Sequence, residues 1–332
     1  MRPDTTFFTL ADERFFPGVV CLLNSLRLSG NDVELVILDI GLSANQRERL
    51  APHARLVEPS AEVREAPLLM KPFPHTLDPQ GTVVVIDSDM MVTRPLDPVL
   101  ELAERGKVCM FADIEDQRDR FIPEWREAFG LAAPLRRRRY MNAGFIAHSR
   151  RHWPDLLRRY WELCSRIPRD RTLVSGADYD QPFWGGDQDA INALLMSEVD
   201  SDAVVELPQA EGPSPELMHD VRVLDERTLR CELNGHLPYL LHYWGGPKPW
   251  QPRAWMRVTR DAYVRLLPRV LLAPDAPVRM RRDELPLWLR PGPAGRVTLA
   301  LLSTLNRGAR AAVRLFPRGL RSRLARAIRP GG

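Results

Sequence analysis

Asp87 and Asp89 are the residues whose types and spacing most directly suggest chemistry. They follow Val83-Val84-Val85-Ile86, four β-branched apolar residues in succession, which is the composition of a strand buried on both faces. Strand alternation would turn the two carboxylates to one side and Ser88 to the other. Like charges a few ångströms apart in a partly dry cleft repel strongly unless a cation or a proton sits between them. Taken alone, the pair reads equally well as a polar turn at a strand end. Three later stretches also concentrate polar groups: Asn142-Ala143-Gly144, Asp187-Gln188-Asp189, and His242-Tyr243 followed by Gly245 and Lys248-Pro249-Trp250.

The elements needed to position these groups form a β/α alternation. Residues 5–10 read as a first strand, and residues 15–28 carry helical spacing at Phe16, Val19, Val20, Leu23 and Leu26, with Gly30 placed to stop the helix. Residues 33–40 form a second apolar strand. Ser43 and Gln46 make a capping box that opens a helix over 44–50. A short strand near 55–57, an irregular piece through Met70 and a strand over 82–87 come next. Asp97 as N-cap and Pro98 at the first helical position start a helix that Gly106 ends, and residues 107–112 return as a strand. In the second half, residues 140–148 read as a strand and 153–167 as an amphipathic helix. The Gly185–Asp189 stretch precedes a helix over 190–197, and 239–244 is a late strand. Such alternation predicts an α/β fold with a mixed, mainly parallel sheet flanked by helices. No G-x-G-x-x-G follows the first strand, which excludes the dinucleotide-binding form of that architecture.

Composition bounds the function further. The 332 residues are 44% hydrophobic and 27% charged, as in a globular protein rather than a disordered one. Four cysteines lie far apart without C-x-x-C spacing, against a zinc module or a disulfide framework and consistent with a reducing compartment. The N-terminus lacks the apolar core of a signal peptide and no long apolar run spans a bilayer, so a cytoplasmic location is expected. The net charge of +4 is uneven: residues 291–332 hold nine arginines and no acid, leaving −5 on residues 1–290. The basic balance therefore belongs to the tail, and no nucleic-acid partner is expected.

The four polar stretches together carry a resemblance. Val83–Asp89, Asn142-Ala143-Gly144, Asp187-Gln188-Asp189 and the His242…Trp250 stretch occur in the order of the family-eight glycosyltransferases, the group of glycogenin and of bacterial lipopolysaccharide galactosyltransferases. The similarity covers roughly residues 5–255, and the H-Y-x-G-x-x-K-P-W stretch is its most specific part. The resemblance implies the GT-A nucleotide-diphospho-sugar transferase fold, a Rossmann-like sheet. It implies transfer of a hexose from a nucleotide sugar, usually a uridine diphosphate (UDP) sugar, to a saccharide or glycolipid acceptor with retention of configuration, and a manganese (or magnesium) ion. By the same likeness His242 joins Asp87 and Asp89 as a metal ligand. Asp12, Lys71, Ser88, Gly245 and Lys248 fall on the donor nucleotide, and Asn142, Asp187 and Gln188 on the transferred sugar.

The chemistry suits those residue types. Breaking the bond from the anomeric carbon to phosphate builds negative charge on the departing diphosphate, which a carboxylate-held dication stabilises by several kcal/mol. An imidazole ligand moves preference from magnesium towards manganese. Lys248 supplies a point charge, and Gly245 lets backbone approach phosphate oxygens. Gln188 has no basic group with a useful pKa, so it orients or stabilises rather than acting as a base. Retention is then open between a front-face reaction and a double displacement. Asp187 reads equally as a helix cap, and Asp113 is a further acceptor-side candidate.

One basic segment departs from the family pattern, and a second lies beyond the stretch that the resemblance covers. Arg136–Arg139 is either a solvated face or a receiver for an anionic acceptor. Residues 291–332 form a separate, basic, helical C-terminal tail in which Val297, Leu301, Leu302 and Leu305, and later Leu320, Leu324 and Ile328, repeat at helical spacing. An arginine-rich amphipathic helix suits an anionic bilayer surface, at of order 1 kcal/mol per basic residue, and a peripheral position on the inner face of the plasma membrane is the expectation. A protein-docking tail is the alternative. A nucleotidyltransferase, or a non-catalytic carbohydrate- or membrane-binding protein on the same fold, is the rival to the enzyme. Ala11-Asp12-Glu13-Arg14 is not the Gly-rich phosphate loop that a nucleotidyltransferase would show.

Overall fold

A computed structural model of the protein describes residues 4–314. Leu320, Leu324, Ile328 and the arginines from 318 to 329 lie outside the described residues. The first half runs β1 (Thr5–Ala11), α1 (Phe16–Leu28), β2 (Glu34–Asp39), α2 (Ala44–Leu50), β3 (Arg55–Val57) and α3 (Ala61–Arg64). It continues through β4 (Thr82–Ile86), β5 (Met90–Val92), α4 (Asp97–Glu104) and β6 (Val108–Ala112). The second half holds α5 (Trp125–Ala128), β7 (Met141–Ser149), α6 (Leu156–Cys164), α7 (Asp187–Ser197) and β8 (Val204–Leu207). Last come β9 (Arg222–Asp225), β10 (Arg230–Glu232), β11 (Leu240–His242), α8 (Ala262–Leu272) and α9 (Pro293–Arg314).

Seven strands form one sheet in the order β3-β2-β1-β4-β7-β6-β8. All run parallel except β7, which is antiparallel to both β4 and β6. The buried run Val83-Val84-Val85-Ile86 explains the centre. Its alternation sends Val84 and Ile86 into a core with α1, α4 and α8, and Val83 and Val85 into a core with α5, α6 and α7. The sheet is thus the middle of three layers. Outside it, β5 pairs antiparallel with β11, matching Met90 to His242. That ribbon joins residues from the middle and the end of the chain.

Most expected elements are present within a residue or two, including the Ser43–Gln46 capping box. Four elements differ, two of them because backbone bonds move the helix start. The carbonyl of Leu96 takes the Val99 and Leu100 amides, so Asp97 lies inside α4 rather than capping it. Gly186, at φ 60°, precedes α7 and its carbonyl takes the Ala190 amide; the helix therefore begins at Asp187 instead of 190, and Asp187 is its first residue rather than its cap. The helix expected over 153–167 is reduced to α6, and the strand over 239–244 to β11. Pro293 opens α9, a position that suits its fixed φ.

The described part of the C-terminal segment packs on the body. Leu299 and Leu302 rest on the main core. Ser303 Oγ accepts the Arg260 amide at 3.1 Å, and Asn306 donates to the Trp255 and Val258 carbonyls at 2.9 and 2.8 Å. Among the described residues no helix is long and apolar enough to cross a membrane.

His148 sits opposite Val83 in β7 and is buried, and burial holds its pKa down at about 4. Because the folded pKa lies below the unfolded one, the unfolded chain binds the extra proton between about pH 6.5 and 4, so acid removes stability in that window, by about 3 kcal/mol when complete. Urea unfolding across pH should therefore show wild type and His148→Leu running parallel above pH 7. Below about pH 6.5 the wild type should lose stability faster, and curves parallel down to pH 4 would contradict this account.

Candidate functional site

The polar stretches of the sequence meet at one end of the sheet. Asp12 follows the C-terminal end of β1 and Asp87 that of β4, the two strands from which the order runs outward in opposite directions. Open α/β sheets bind ligands at such a switch point, outside the carboxyl ends of the strands. A cleft of about 290 Å³ opens there, lined by Asp12, Phe15, Lys71, Asp87, Ser88 and Asp89 among others.

Backbone bonds fix the Asp87-Ser88-Asp89 turn. The Asp87 amide donates to the Gly144 carbonyl at 2.8 Å, the Met90 amide to the Asp87 carbonyl at 3.1 Å, and the Tyr243 amide to the Asp89 carbonyl at 3.1 Å. The β5–β11 ladder then brings His242 beside both carboxylates. His242 Nε2 lies 3.3 Å from Asp89 Oδ1 and 3.7 Å from Asp87 Oδ2, and one ligand atom from each of the three residues falls within 4.8 Å of the others. Asp89 Oδ1 and His242 Nε2 are buried and have no hydrogen-bond partner. Buried polar atoms are almost always satisfied, so two orphans facing each other beside a second carboxylate fit a shared cation. Two carboxylates and an imidazole form a set that can hold a divalent metal ion.

Two lysines complete the cluster. Lys248 Nζ is 2.5 Å from Asp89 Oδ2 and donates to the Tyr243 carbonyl at 2.8 Å. Lys71 Nζ lies 3.1 Å from Asp87 Oδ1 and 3.2 Å from Asp187 Oδ2, and donates to the Ala143 carbonyl at 3.2 Å. It sits between two 3-10 turns, Pro67–Leu69 and Phe73–Leu77, consistent with prolines at 72 and 74 breaking a helix there. These contacts split the two carboxylates. Burial raises Asp87 above the usual carboxylate range despite Lys71, with Asp89 adding to the rise. Burial acts on Asp89 in the same sense, but Lys248 and His242 outweigh it and hold that group below the range. For Lys71, burial is outweighed by Asp187 and Asp87, which hold its proton.

The remaining expected residues divide between this cleft and its neighbour. Asn142 Oδ1 accepts the Gly144 amide at 2.9 Å, and Asn142 lines a small cleft with Asp113 and His242. Gln188 is held at both ends of its amide: Nε2 donates to Asp113 Oδ2 at 2.6 Å, and Oε1 accepts the Ala143 amide at 3.0 Å. Burial pushes the Asp113 carboxyl up, against the Ile114 amide and Gln188. Asp187 also takes the Tyr160 hydroxyl at 3.3 Å. Asp12 accepts the Phe15 amide at 2.9 Å and so caps a turn while facing the main cleft. Gly245 lies in the loop before Lys248 at φ 70°, with no atom within 4 Å of where a Cβ would stand.

Sequence patterns pointed to Asp189 but not to Arg120, its partner in holding this arrangement. Arg120 and Asp189 form a fully buried pair, with Nε to Oδ1 at 2.7 Å and Nη2 to Oδ2 at 2.8 Å. Arg120 also donates to the Tyr179 and Gln181 carbonyls, and Tyr140 and the Gly185 amide donate to Asp189 at 2.7 and 2.6 Å. The pair thus pins residues 179–185 to the first turn of α7, and with it Asp187 and Gln188. The Arg136–Arg139 run has mostly structural uses. Arg136 and Arg138 donate to carbonyls at 197, 199 and 201 around the C-terminal end of α7, and Arg137 lies over Phe121. Arg139, paired with Glu206, lines a groove of about 250 Å³ that includes Asp113 and Arg118.

No family model and no curated protein matches the sequence. Among solved structures, the galactosyltransferase LgtC in complex with donor and acceptor sugar analogs matches 81% of this chain and 98% of its own, at 18% identity and a TM-score of 0.51. An active-site mutant of LgtC matches over the same shares at 17% identity and a TM-score of 0.53. The fold is that of the GT-A glycosyltransferases. Within that fold the Asp87–Asp89–His242 group stands at the sheet's switch point, and α7 presents Asp187 and Gln188 to it.

Glycine is required where β7 passes under the Asp87–Asp89–His242 group. A Cβ on Gly144 would stand 2.6 Å from His242 Cε1 and from Met90 Cε, and 2.8 Å from Asn142 Oδ1. The Gly144→Ala protein should fold with a loss of about 1–3 kcal/mol and displace His242. Calorimetric titration with manganese and a nucleoside diphosphate should show at least about tenfold weaker binding than wild type; equal binding would show that His242 is not placed by this contact.

Proposed function

We propose that this protein is a metal-dependent glycosyltransferase, moving a hexose from a nucleotide sugar, of which UDP-sugars are the favoured class, to a saccharide or glycolipid acceptor with retention of configuration. The observation that carries the reading is the convergence of Asp87, Asp89 and His242, with two orphaned ligand atoms, beside a cleft at the switch point of a GT-A sheet. LgtC, of the same fold, has been seen with donor and acceptor sugar analogs, which supports the substrate class. One of its active-site mutants replaces a glutamine by glutamate, which supports a substrate-facing role for Gln188.

In this reading Asp87, Asp89 and His242 hold a divalent ion, manganese or magnesium, that offsets the charge developing on the diphosphate. Lys248 and Lys71 add positive charge at the phosphates, and Ser88 and Gly245 offer backbone near them. Asp12 faces the end of the cleft where the nucleobase would lie. Asn142, Asp187 and Gln188 face the sugar. As the bond from the anomeric carbon to the diphosphate oxygen breaks, an acceptor hydroxyl bonds to that carbon from the same face and its proton passes to the departing oxygen. Pairing of the nearby carboxylates supports this front-face course over a covalent one. Asp187 is engaged by Lys71 and Tyr160, Asp113 by Gln188, and Asp189 by Arg120. Asp113 keeps the Gln188 amide in one orientation, and the groove beyond it, past Arg118 and Arg139, is the acceptor side.

The Asp89→Asn protein keeps the shape of the turn but removes a ligand charge. Donor-sugar hydrolysis, followed with and without manganese across a panel of nucleotide sugars, should fall by about a thousandfold or more while circular dichroism is unchanged. A fully active Asp89→Asn protein, or a wild type that neither hydrolyses nor binds any nucleotide sugar, would overturn the reading.

The location we propose is peripheral, on an anionic membrane surface, through residues 291–332. Supporting it, α9 turns Val297, Leu301 and Leu305 outward at 58, 61 and 67% exposure, with half-exposed Trp255 and Met256 on the segment it packs against. An apolar row next to arginines suits the headgroup region of such a bilayer. Flotation with vesicles containing phosphatidylglycerol should carry the full chain upward and leave the triple variant Val297→Ser, Leu301→Ser, Leu305→Ser behind; equal flotation of both removes the apolar row from the account.

A further inference from the structure

The cluster is unusual in how its charge is balanced. Three carboxylates, Asp87, Asp89 and Asp187, share two ammonium groups, and every one of them is in contact: Lys71 with Asp87 and Asp187, Lys248 with Asp89. Both lysine side chains are mostly buried, at 19 and 7% exposure. Counting only these five groups, the cluster carries a single net negative charge. A dication bound to Asp87, Asp89 and His242 would stand within a few ångströms of two fixed positive charges and reverse the sign of the cluster. At such distances, in a partly dry site, like-charge repulsion amounts to several kcal/mol, and buried charge without compensation is costly. A nucleoside diphosphate brings the missing negative charge and gives both lysines phosphate oxygens to contact.

From this we infer that Lys71 and Lys248 gate the metal site: by holding Asp87 and Asp89 they keep a divalent cation from binding alone, and admit it together with a nucleoside diphosphate. The geometry makes Lys248 the stronger gate. Its Nζ is 2.5 Å from Asp89, a proposed metal ligand, and it is anchored by the Tyr243 carbonyl, one residue from His242. It is carried by a loop with Gly245 and Gly246 at φ 70° and 48°, conformations that glycine adopts without steric cost. Lys71 acts on Asp87 from the opposite wall of the cleft. The gate makes the order of binding a property of the cluster's charge and protects two aligned carboxylates from capturing stray cations. It rests on the reading of Asp87, Asp89 and His242 as a metal site that works with a diphosphate.

The test uses manganese alone and manganese with UDP, on the full chain, with bound manganese read from the loss of its free electron paramagnetic resonance signal. Wild type should bind manganese weakly by itself and markedly more tightly with UDP. Lys248→Met, which keeps the side chain's length and apolar stem, should bind manganese alone at least about tenfold more tightly than wild type. Its manganese affinity should change little when UDP is added. Lys71→Met should shift in the same direction by a smaller factor, and it serves where Lys248→Met does not fold, as does a larger rise in Tm with manganese than wild type shows. Unchanged affinity for manganese alone in the folded variants, with joint manganese and UDP binding intact in wild type, overturns the gate and leaves the proposed function standing. Failure of wild type and both variants to bind manganese with or without UDP overturns the metal-site reading itself.

Discussion

Mutual repulsion of carboxylates at the mouth of β4 is the constraint around which the site is arranged. Asp87 and Asp89 are set side by side by the turn that follows β4, and Asp187 is brought near them from the first turn of α7. In water such groups would move apart; here backbone bonds to Gly144 and Tyr243 prevent it. The compensation comes from far along the chain: Lys71 before the strand, and His242 and Lys248 after more than a hundred further residues. Interactions of this kind operate at a lower effective dielectric than water, so each missing partner would leave a buried charge exposed to strong repulsion. Burial pushes both carboxyls up, and their opposite shifts follow from their partners: Lys248 and His242 outweigh burial at Asp89, whereas Lys71 does not at Asp87, where Asp89 adds to the rise.

Holding these partners in register is a backbone problem, and the fold solves it with two devices. One is the β5–β11 ribbon, which matches Met90 with His242 and so converts a contact between distant segments into a strand register. A slip of one residue would turn the imidazole to the other face. The other is close approach. Gly144 lies under His242, and Gly18 of α1 lies where a Cβ would stand 2.7 Å from the Ser88 carbonyl and 2.8 Å from the Trp250 ring. Trp250 in turn donates to the Arg14 carbonyl at 3.0 Å, so the stretch carrying Lys248 is tied to the start of α1. The turn between the two aspartates is clamped from above and below.

Much of this was legible in the sequence. A run of four buried β-branched residues marks the central strand, apolar spacing marks α1, and Ser43 with Gln46 marks α2, because each is a local pattern with a local cause. The cluster of Asp87, Asp89 and His242 was also foreseeable, but only through resemblance; nothing in the spacing between Asp89 and His242 states that they meet. What could not be read is of two kinds. Helix starts at Asp97 and Asp187 were misplaced because the first turn depends on backbone bonds made by Leu96 and Gly186, not on the nearest good capping residue. Arg120 carried no signal at all. It is one arginine among many, and its burial against Asp189 is a tertiary event. The Arg136–Arg139 run gave a strong signal that pointed partly elsewhere, since two of its guanidinium groups serve the carbonyls at the end of α7.

The buried Arg120–Asp189 pair raises a question of energetics. Removing both charges from water costs several kcal/mol per ion, and a pair of apolar side chains of similar volume would often be as stable. Stability therefore gives no reason for it. Geometry does. Asp189 accepts from Arg120, Tyr140 and the Gly185 amide at once, and Arg120 adds two carbonyls of the segment 179–181. Hydrogen bonds are directional where apolar contacts are not, so this network fixes the rotation of α7 about its axis as well as its position. Two residues on that first turn, Asp187 and Gln188, must reach Lys71 on one side and Asp113 with the Ala143 amide on the other. A helix free to rotate by a fraction of a turn would satisfy at most one of them. The pair is best understood as the device that makes the orientation of Asp187 and Gln188 unique.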